Sequence, residues 1–390
     1  MNPPVARNRV MKPKAIKIKQ GIPLDMNYQV HWRTIKPWLT VFDGPLALII
    51  FLLLAAGLIT LHSAGINFPG RVEDQIRNIV VAFAVMWCAA LMPPQALMRL
   101  AVPLYTIGVG LLVAVFLFGI VKKGARRWIN IGMVIQPSEI MKIAMPLMLA
   151  WYFQKREGNL GWREYVIAAL LLAIPVGLIA KQPDLGTALL VSAAGAYVIF
   201  LAGLSWKMIF GLVVGIAASL PIIWPRLHDY QRERVMMLID PTSDPLGKGF
   251  HIIQSTIAIG SGGVTGKGWL KGTQAHLEFI PERTTDFIFA VFSEEFGLVG
   301  ILILVVLYLM LIMRGLMIAA RAPNFFSRLL AGSITLIFFT YVFVNMGMVS
   351  GILPVVGVPL PFLSYGGTAL VTLGLGAGIL MSIHRHRKLM

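Results

Sequence analysis

The stretch Pro45-Leu-Ala-Leu-Ile-Ile-Phe-Leu-Leu-Leu-Ala-Ala-Gly-Leu-Ile-Thr-Leu-His-Ser-Ala64 decides the fold. It holds no Asp, Glu, Lys or Arg, and about 20 residues at roughly 1.5 Å each match the ~30 Å apolar thickness of a bilayer. The 44 residues before it are basic and polar, without the short apolar core and small-residue cleavage site of a removed leader, so the run reads as a retained signal anchor. Working outward, runs of similar character occur at 76–92, 97–120, 138–153, 165–180, 187–203, 205–224, 287–313, 327–352 and 364–383. The fold class expected is therefore all-α, a polytopic membrane protein with ten transmembrane helices. The run at 138–153 is the weakest, because it is short and carries Glu139, Lys142 and Pro146; a tilted, broken or partly interfacial segment is expected there.

Composition agrees. The chain has 390 residues, 57% hydrophobic and only 13% charged, with a mean hydropathy of +0.78. A soluble single domain rarely exceeds about 250 residues, and so apolar a chain is not disordered. The formal charge of +17 resembles that of a nucleic-acid binder. An even number of spans, however, puts both termini on one side, and with that side cytoplasmic almost all of the basic excess is the ordinary orientation signal. No nucleic acid is needed to explain it. The single cysteine, Cys88, lies in an apolar run and excludes a disulfide framework or a cysteine metal site. The organisation expected is a basic cytoplasmic arm over 1–44 and a transmembrane domain over 45–390, with one large extracytoplasmic loop, 225–286, whose aromatic and aliphatic content suggests a folded cap.

Candidate chemistry gathers at the outer ends of the spans. The loop after the third run holds Lys122, Lys123, Arg126 and Arg127 against the positive-inside trend, framed by Gly124 and Trp128. Four cations there suit a lipid phosphate or diphosphate, or snorkel to anionic headgroups. Glu139 and Lys142 share a helix face at i and i+3, either as a self-neutralising pair or as a phosphate grip. Lys181 and Asp184 open the sixth run, where helix capping by Asp184 or Thr187 is the plain account. Asp286 precedes the eighth run, where capping is again the default, and Glu294 and Glu295 further on require cationic or hydrogen-bonding partners. The segment Gly260-Ser-Gly-Gly-Val-Thr-Gly-Lys-Gly268 is not a phosphate loop, since Ser261 replaces the first required glycine and Gly268 the magnesium-binding hydroxyl. The proline-rich segment 354–367 suggests a partly re-entrant, rigid turn. The apolar interiors of the first, third, sixth, ninth and tenth runs carry no Asp, Glu, Lys or Arg, which suits an enzyme working at an interface better than an ion-coupled transporter.

Several motifs occur together in order: Gly124-Ala-Arg-Arg-Trp128, Gln136-Pro-Ser-Glu-Ile-Met-Lys142, Gln182-Pro-Asp-Leu-Gly-Thr187, His228-Asp-Tyr-Gln-Arg232, Asp244-Pro-Leu-Gly247, His251-Ile-Ile-Gln254, Pro281-Glu-Arg-Thr-Thr-Asp-Phe-Ile-Phe289, Gly351-Ile-Leu-Pro-Val-Val-Gly-Val-Pro-Leu-Pro361 and Ser364-Tyr-Gly-Gly367. From residue 43 to 388 the chain resembles the elongation branch of the SEDS family (shape, elongation, division and sporulation). The resemblance implies a peptidoglycan glycosyltransferase of the bacterial inner membrane that polymerises lipid II into glycan strands and maintains rod shape. It implies Asp286 as catalytic base, and Glu139, Lys142 and Asp184 as functional matches to family motifs. Arg126, Arg127 and Lys181 complete the candidate substrate-binding set. Implied partners are lipid II, the growing glycan strand, a class B penicillin-binding transpeptidase and other elongation-complex membrane proteins. No cofactor is evident, and a divalent cation is left open. The chain departs from the family pattern at Val134, where related sequences carry Arg; Arg126 or Arg127 is the candidate replacement. A precursor flippase and a non-catalytic scaffold are the rival readings.

Overall fold

The computed structural model describes residues 41–387 apart from 123–124, 131–133, 227–231, 233–235, 239, 241–248, 278 and 281. The basic arm up to residue 40, Lys123, Gly124 and the motifs at 228–231 and 244–247 thus lie outside the described residues. The described chain is mostly helical: α1 (Gly44–Ala64), α2 (Arg71–Leu91), α3 (Pro94–Phe118), α4 (Pro137–Lys155), α5 (Trp162–Lys181), α6 (Leu185–Leu201), α7 (Trp206–Ile223), α8 (Phe250–Ser261), α9 (Ile288–Ala320), α10 (Phe325–Val349) and α11 (Gly367–His386). Seven of these, α1, α2, α3, α5, α9, α10 and α11, are long and apolar enough to cross a membrane.

An all-α expectation needs one correction. The loop after α3 is a small antiparallel sheet of β1 (Ile120–Lys122), β2 (Ala125–Asn130) and β3 (Val134–Ile135), in the order β1-β2-β3. Its register pairs Val121 with Arg126 and Ile129 with Ile135. The strands are two to six residues long and do not alternate apolar with polar residues, so no period-2 signal marks them in the sequence.

The weakest apolar run becomes α4, and its charges have a physical explanation. Met141, Lys142, Ala144, Met145, Leu147, Leu149 and Phe153 are all buried, so α4 is wrapped by other helices rather than by lipid. A helix carrying ionisable groups is tolerated in that position. The α2–α11 contact is set by Gly374-x-x-x-Gly378: added Cβ atoms would lie 2.8 Å from the Ala82 carbonyl oxygen and 2.3 Å from that of Met86. Small residues at this spacing let two backbones approach.

Helix α9 runs for 33 residues, but Gly297 interrupts it with φ 62° and ψ −163°. The glycine-rich segment at 262–268 closes the break. Leu298 and Val299 donate their N–H groups to the carbonyls of Gly263 and Val264 (2.9 and 3.0 Å), while the N–H groups of Lys267 and Gly268 donate to the carbonyls of Glu294 and Glu295 (both 3.0 Å). Backbones must nearly touch for this. A Cβ on Gly266 would sit 2.0 Å from the Glu295 carbonyl oxygen, and one on Gly297 2.2 Å from the Gly266 nitrogen. The segment's glycines therefore serve main-chain pairing at a helix break.

The chain between α10 and α11 enters the bundle. Leu363 places its carbonyl oxygen 2.8 Å from where a Cβ on Gly57, in the middle of α1, would be. Tyr308 donates its hydroxyl to the Pro361 carbonyl (2.7 Å), and Phe362 and Leu363 are buried. Irregular backbone at such a position is tolerated where protein, not lipid, surrounds it.

At the opposite end of α1, Asp43 caps the helix by accepting from the Leu46 N–H (3.0 Å). Its carboxylate also receives a two-pronged bond from Arg314 of α9, 2.9 Å at Nε, and lies 3.2 Å from Nε2 of His384 in α11. Burial raises the Asp43 pKa, but the bonds from Arg314 and Leu46 and the charges of Arg314 and His384 outweigh it and hold the carboxyl below its ordinary value. Replacing Asp43 by Ala strands a cation and removes a cap, at a cost of about 3–5 kcal/mol. Because the folded pKa is depressed, this contribution is complete above the ordinary value of 3.8 and disappears as pH falls through the lower folded value. Thermal unfolding of wild type and Asp43→Ala in detergent should therefore differ at neutral pH and converge in strong acid. Gly297→Ala should lower the unfolding midpoint further, since about 1–3 kcal/mol of backbone strain adds to the clash with Gly266; an unchanged midpoint would contradict the clamp.

Candidate active site

Gln136 stands just before α4, and Pro137 occupies the first helical position, where its missing N–H is of no consequence. One turn on, the Lys142 ammonium lies 2.6 Å from Glu139 Oε1, with its side chain only 4% exposed. It also sits 5.4 Å from the ring centroid of Tyr341 in α10. The other Glu139 oxygen accepts from the Thr372 hydroxyl of α11 (3.3 Å). The pair thus joins α4 to α10 and α11.

Asp184 is the N-cap of α6, accepting from the Thr187 N–H (3.2 Å); Thr187 itself is the donor and not the cap. Capping is only part of its role. Its second oxygen accepts from Gln136 Nε2 (2.9 Å), and the Arg127 guanidinium is 3.8 Å from the first. Arg127 further donates to the carbonyls of Gln182 (3.4 Å) and Pro183. Strand β2 therefore delivers Arg127 to the junction of α4 and α6. Arg126, one residue earlier, points to the other face of the strand, as the pleat demands, and reaches the Phe116 carbonyl (3.4 Å). Lys181 is exposed at the end of α5. The structure brings together Arg127, Asp184 and Gln136, and next to them Glu139 and Lys142. Arg126 and Lys181 stay apart from that network.

Asp286 lies on the turn leading into α9 and is half-buried. Phe287, not Asp286, occupies the N-cap position, and that cap makes no side-chain hydrogen bond. The turn is fixed from several sides. Asn345 of α10 donates to the Asp286 carbonyl (2.8 Å) and to the Val358 carbonyl (2.6 Å). The Ser364 hydroxyl donates to the Thr285 carbonyl (2.7 Å), and the Tyr365 N–H to that of Thr284 (2.9 Å). The His251 ring of α8 stacks on Phe287, with centroids 5.8 Å apart; burial depresses the His251 pKa against the opposing charge of Glu282.

The inserted chain at 356–357 links the two acidic positions. A Cβ on Gly186, two residues after Asp184, would lie 2.6 Å from the Val356 carbonyl oxygen, and one on Gly357 would lie 3.3 Å from Asp286 Oδ2. One dipeptide thus touches the start of α6 on one side and Asp286 on the other. Read in the sequence as a partly re-entrant, rigid turn, this segment gives no sign there that it abuts the carboxylate.

Glu294 and Glu295 belong to the helix-break clamp. Glu294 accepts from Lys267 Nζ (2.6 Å) and from the N–H groups of Thr273 (2.8 Å) and Gln274 (3.1 Å). Glu295 accepts from Ser63 and from the Leu270 N–H (3.2 Å). Among the described residues no group of three His, Cys, Asp or Glu side chains could hold a metal ion. What the site offers is a half-exposed carboxylate on a rigid turn, beside a buried network of two cations and two acids.

Comparison with known proteins now adds to the geometry. The profile of the family described as cell cycle protein FtsW/RodA/SpoVE matches residues 45–389. Peptidoglycan glycosyltransferase MrdB of Escherichia coli is 55% identical over 350 residues, which cover 89% of this chain and 95% of that protein. A chain from a solved peptidoglycan synthase complex, described as coordinating polymerization and crosslinking, superposes with a TM-score of 0.77 at 35% identity, covering 89% of this chain and 98% of that one. The crystal structure of the rod shape determining protein RodA of Thermus thermophilus gives 0.68 at 29% identity, covering 89% and 97%. A match across nearly the whole helical chain, in sequence and in fold, makes this protein a member of the FtsW/RodA/SpoVE family.

Proposed function

We propose that this chain is a peptidoglycan glycosyltransferase that polymerises lipid II during cell elongation, with Asp286 as the general base. The observation that carries the reading is the placement of Asp286: a half-buried carboxylate on a turn held by Asn345, Ser364 and Tyr365, and adjoining the segment that packs on the helix bearing Asp184. In the reaction, an acceptor sugar hydroxyl gives its proton to Asp286 as its oxygen attacks the anomeric carbon of the donor. The bond from that carbon to the diphosphate oxygen breaks, and the configuration inverts. A base within hydrogen-bond reach contributes about 10²–10⁴-fold to such a step. Arg127 offers guanidinium donors to the charge developing on the leaving diphosphate. Lys142 and Glu139, buried and paired, hold the α4 wall that presents Gln136 to Asp184.

The membrane arrangement that fits this chemistry has ten spans, with α4, α6 and α7 joining the seven long apolar helices. Both termini are cytoplasmic in the inner membrane, and the site faces the periplasm. A class B penicillin-binding transpeptidase is the natural partner, since the solved complex pairs polymerization with crosslinking. The growing glycan strand and other elongation-complex proteins complete the assembly.

Asp286→Asn should reduce glycan polymer formed from purified lipid II in detergent by at least about 10²-fold, with the unfolding midpoint unchanged. Full activity in that variant would reject the base, and absence of polymer from wild type in detergent would favour lipid transport over polymerisation. Lys142→Met should cost about 3–5 kcal/mol by stranding the buried Glu139 carboxylate. The double variant Glu139→Gln, Lys142→Met should recover much of that loss in denaturant unfolding without recovering activity.

A further inference from the structure

Helix α2 meets α11 and the chain just before it along one face. Gln75, Asn78, Ala82 and Met86 recur at the spacing of that face. The Gly366 N–H donates to Gln75 Oε1 (3.3 Å), an added Cβ on Gly367 would lie 2.9 Å from Asn78 Oδ1, and those on Gly374 and Gly378 would meet the Ala82 and Met86 carbonyls. Away from this seam, Ile76, Val80, Val81 and Phe83 are exposed. Gln75 is the contact of the seam that lies toward the Asp286 turn.

Gln75 is 3% exposed, and a buried carboxamide in a membrane helix is costly unless both of its ends are paired. Its Nε2 donates to the Ser364 carbonyl (3.2 Å), while its Oε1 accepts from Gly366. The same short piece of chain gives its remaining groups to the start of α9. The Ser364 hydroxyl donates to the Thr285 carbonyl (2.7 Å) and accepts from the Leu360 N–H (2.8 Å), and the Tyr365 N–H donates to the Thr284 carbonyl (2.9 Å). Three consecutive residues, 364–366, thus join Gln75 to the two residues before Asp286. Arg71, one turn earlier on α2, donates to the Thr284 hydroxyl, which leaves the Thr284 carbonyl to Tyr365.

We infer that Gln75 is a positioning residue for Asp286: its carboxamide fixes residues 364–366 and, through them, the main chain of Thr284 and Thr285. Asn345 holds the Asp286 carbonyl itself from α10, so the turn is tied to two helices. The inference rests on the polymerase reading and deepens it by naming a residue that acts on the base through Ser364. Loosening such a hold misplaces the carboxylate in the reaction and leaves binding of lipid II intact, a change in kcat with KM unaltered.

The test compares the full chain with its variants in detergent, by hydrogen exchange and by polymerisation of purified lipid II. Gln75→Leu keeps the bulk and removes both bonds, and an apolar residue suits a membrane helix. Its Tyr365 amide should exchange faster than in wild type, and its kcat should fall by about 10-fold or more with KM unchanged. Gln75→Glu keeps the acceptor for the Gly366 N–H and loses the donor, so it should lie between the two; it decides the matter if Gln75→Leu does not fold. Ser364→Ala should also lower kcat, and combining it with Gln75→Leu should give less than the product of the two single effects, because both act along one path. An unchanged kcat in Gln75→Leu, a loss confined to KM, or full additivity in the double variant would overturn the assignment. Wild type that forms no polymer, while Gln75→Leu still frees the Tyr365 amide, would instead reject the polymerase reading and leave Gln75 as the hold on the turn.

Discussion

Inside a bilayer no water is at hand for the main chain, so each N–H and C=O must find a protein partner. This protein breaks that regularity twice near Asp286, and in each place another piece of chain closes the gap. At Gly297 the glycine-rich segment donates to the carbonyls of Glu294 and Glu295 and accepts from Leu298 and Val299. Along the inserted segment, Asn345, Tyr308 and Ser364 serve the carbonyls of Val358, Pro361 and Thr285. The Asp286 turn lies between these two repairs. Its rigidity follows from the need to satisfy the backbone around it, which turns a structural obligation into preorganisation of a carboxylate.

Charge burial follows the same economy. Asp43 with Arg314 and Glu294 with Lys267 are matched across different elements, and Glu139 with Lys142 within α4. A buried pair contributes little net stability, but removing one member is severely destabilising. These pairs therefore act mainly as registration devices: Asp43 aligns α1 with α9 and α11, and Glu139 aligns α4 with α10 and α11. The end of the bundle carrying Asp286 differs in that Arg127 bonds the main-chain carbonyls of Gln182 and Pro183 as well as lying near Asp184.

Much of the helical framework was legible in the sequence because apolar runs of membrane length admit few readings. The boundaries that slipped did so for definite reasons. The run expected from residue 76 begins as a helix at Arg71, since Arg71, Glu73, Asp74 and Arg77 make the first turns polar while Gln75 is buried against Ser364 and Gly366. The sheet after α3 leaves little trace in the sequence because its strands are short and do not alternate apolar with polar residues. The glycine-rich segment was rightly refused as a phosphate loop, but its partner across Gly297 is set by tertiary contact and leaves no local mark. Arg126 and Arg127 were indistinguishable as charges; only their place on a strand, facing opposite ways, separates them.

The correction at Asp286 bears on chemistry as well as on structure. A carboxylate that caps a helix accepts from main-chain amides and feels the positive end of the dipole, and both effects lower its affinity for a proton. That suits a cap and handicaps a base. Here the N-cap position falls to Phe287, whose ring is engaged by His251, while Asp286 lies one residue earlier, with Oδ2 directed at the Gly357 position. A side chain at Gly357 would stand 3.3 Å from that oxygen and occupy space next to the carboxylate. The glycine, in a left-handed conformation with φ 73°, leaves that space open. The backbone geometry of the inserted segment thus leaves space beside Asp286 Oδ2, on a turn anchored through its carbonyls by Asn345 and Ser364.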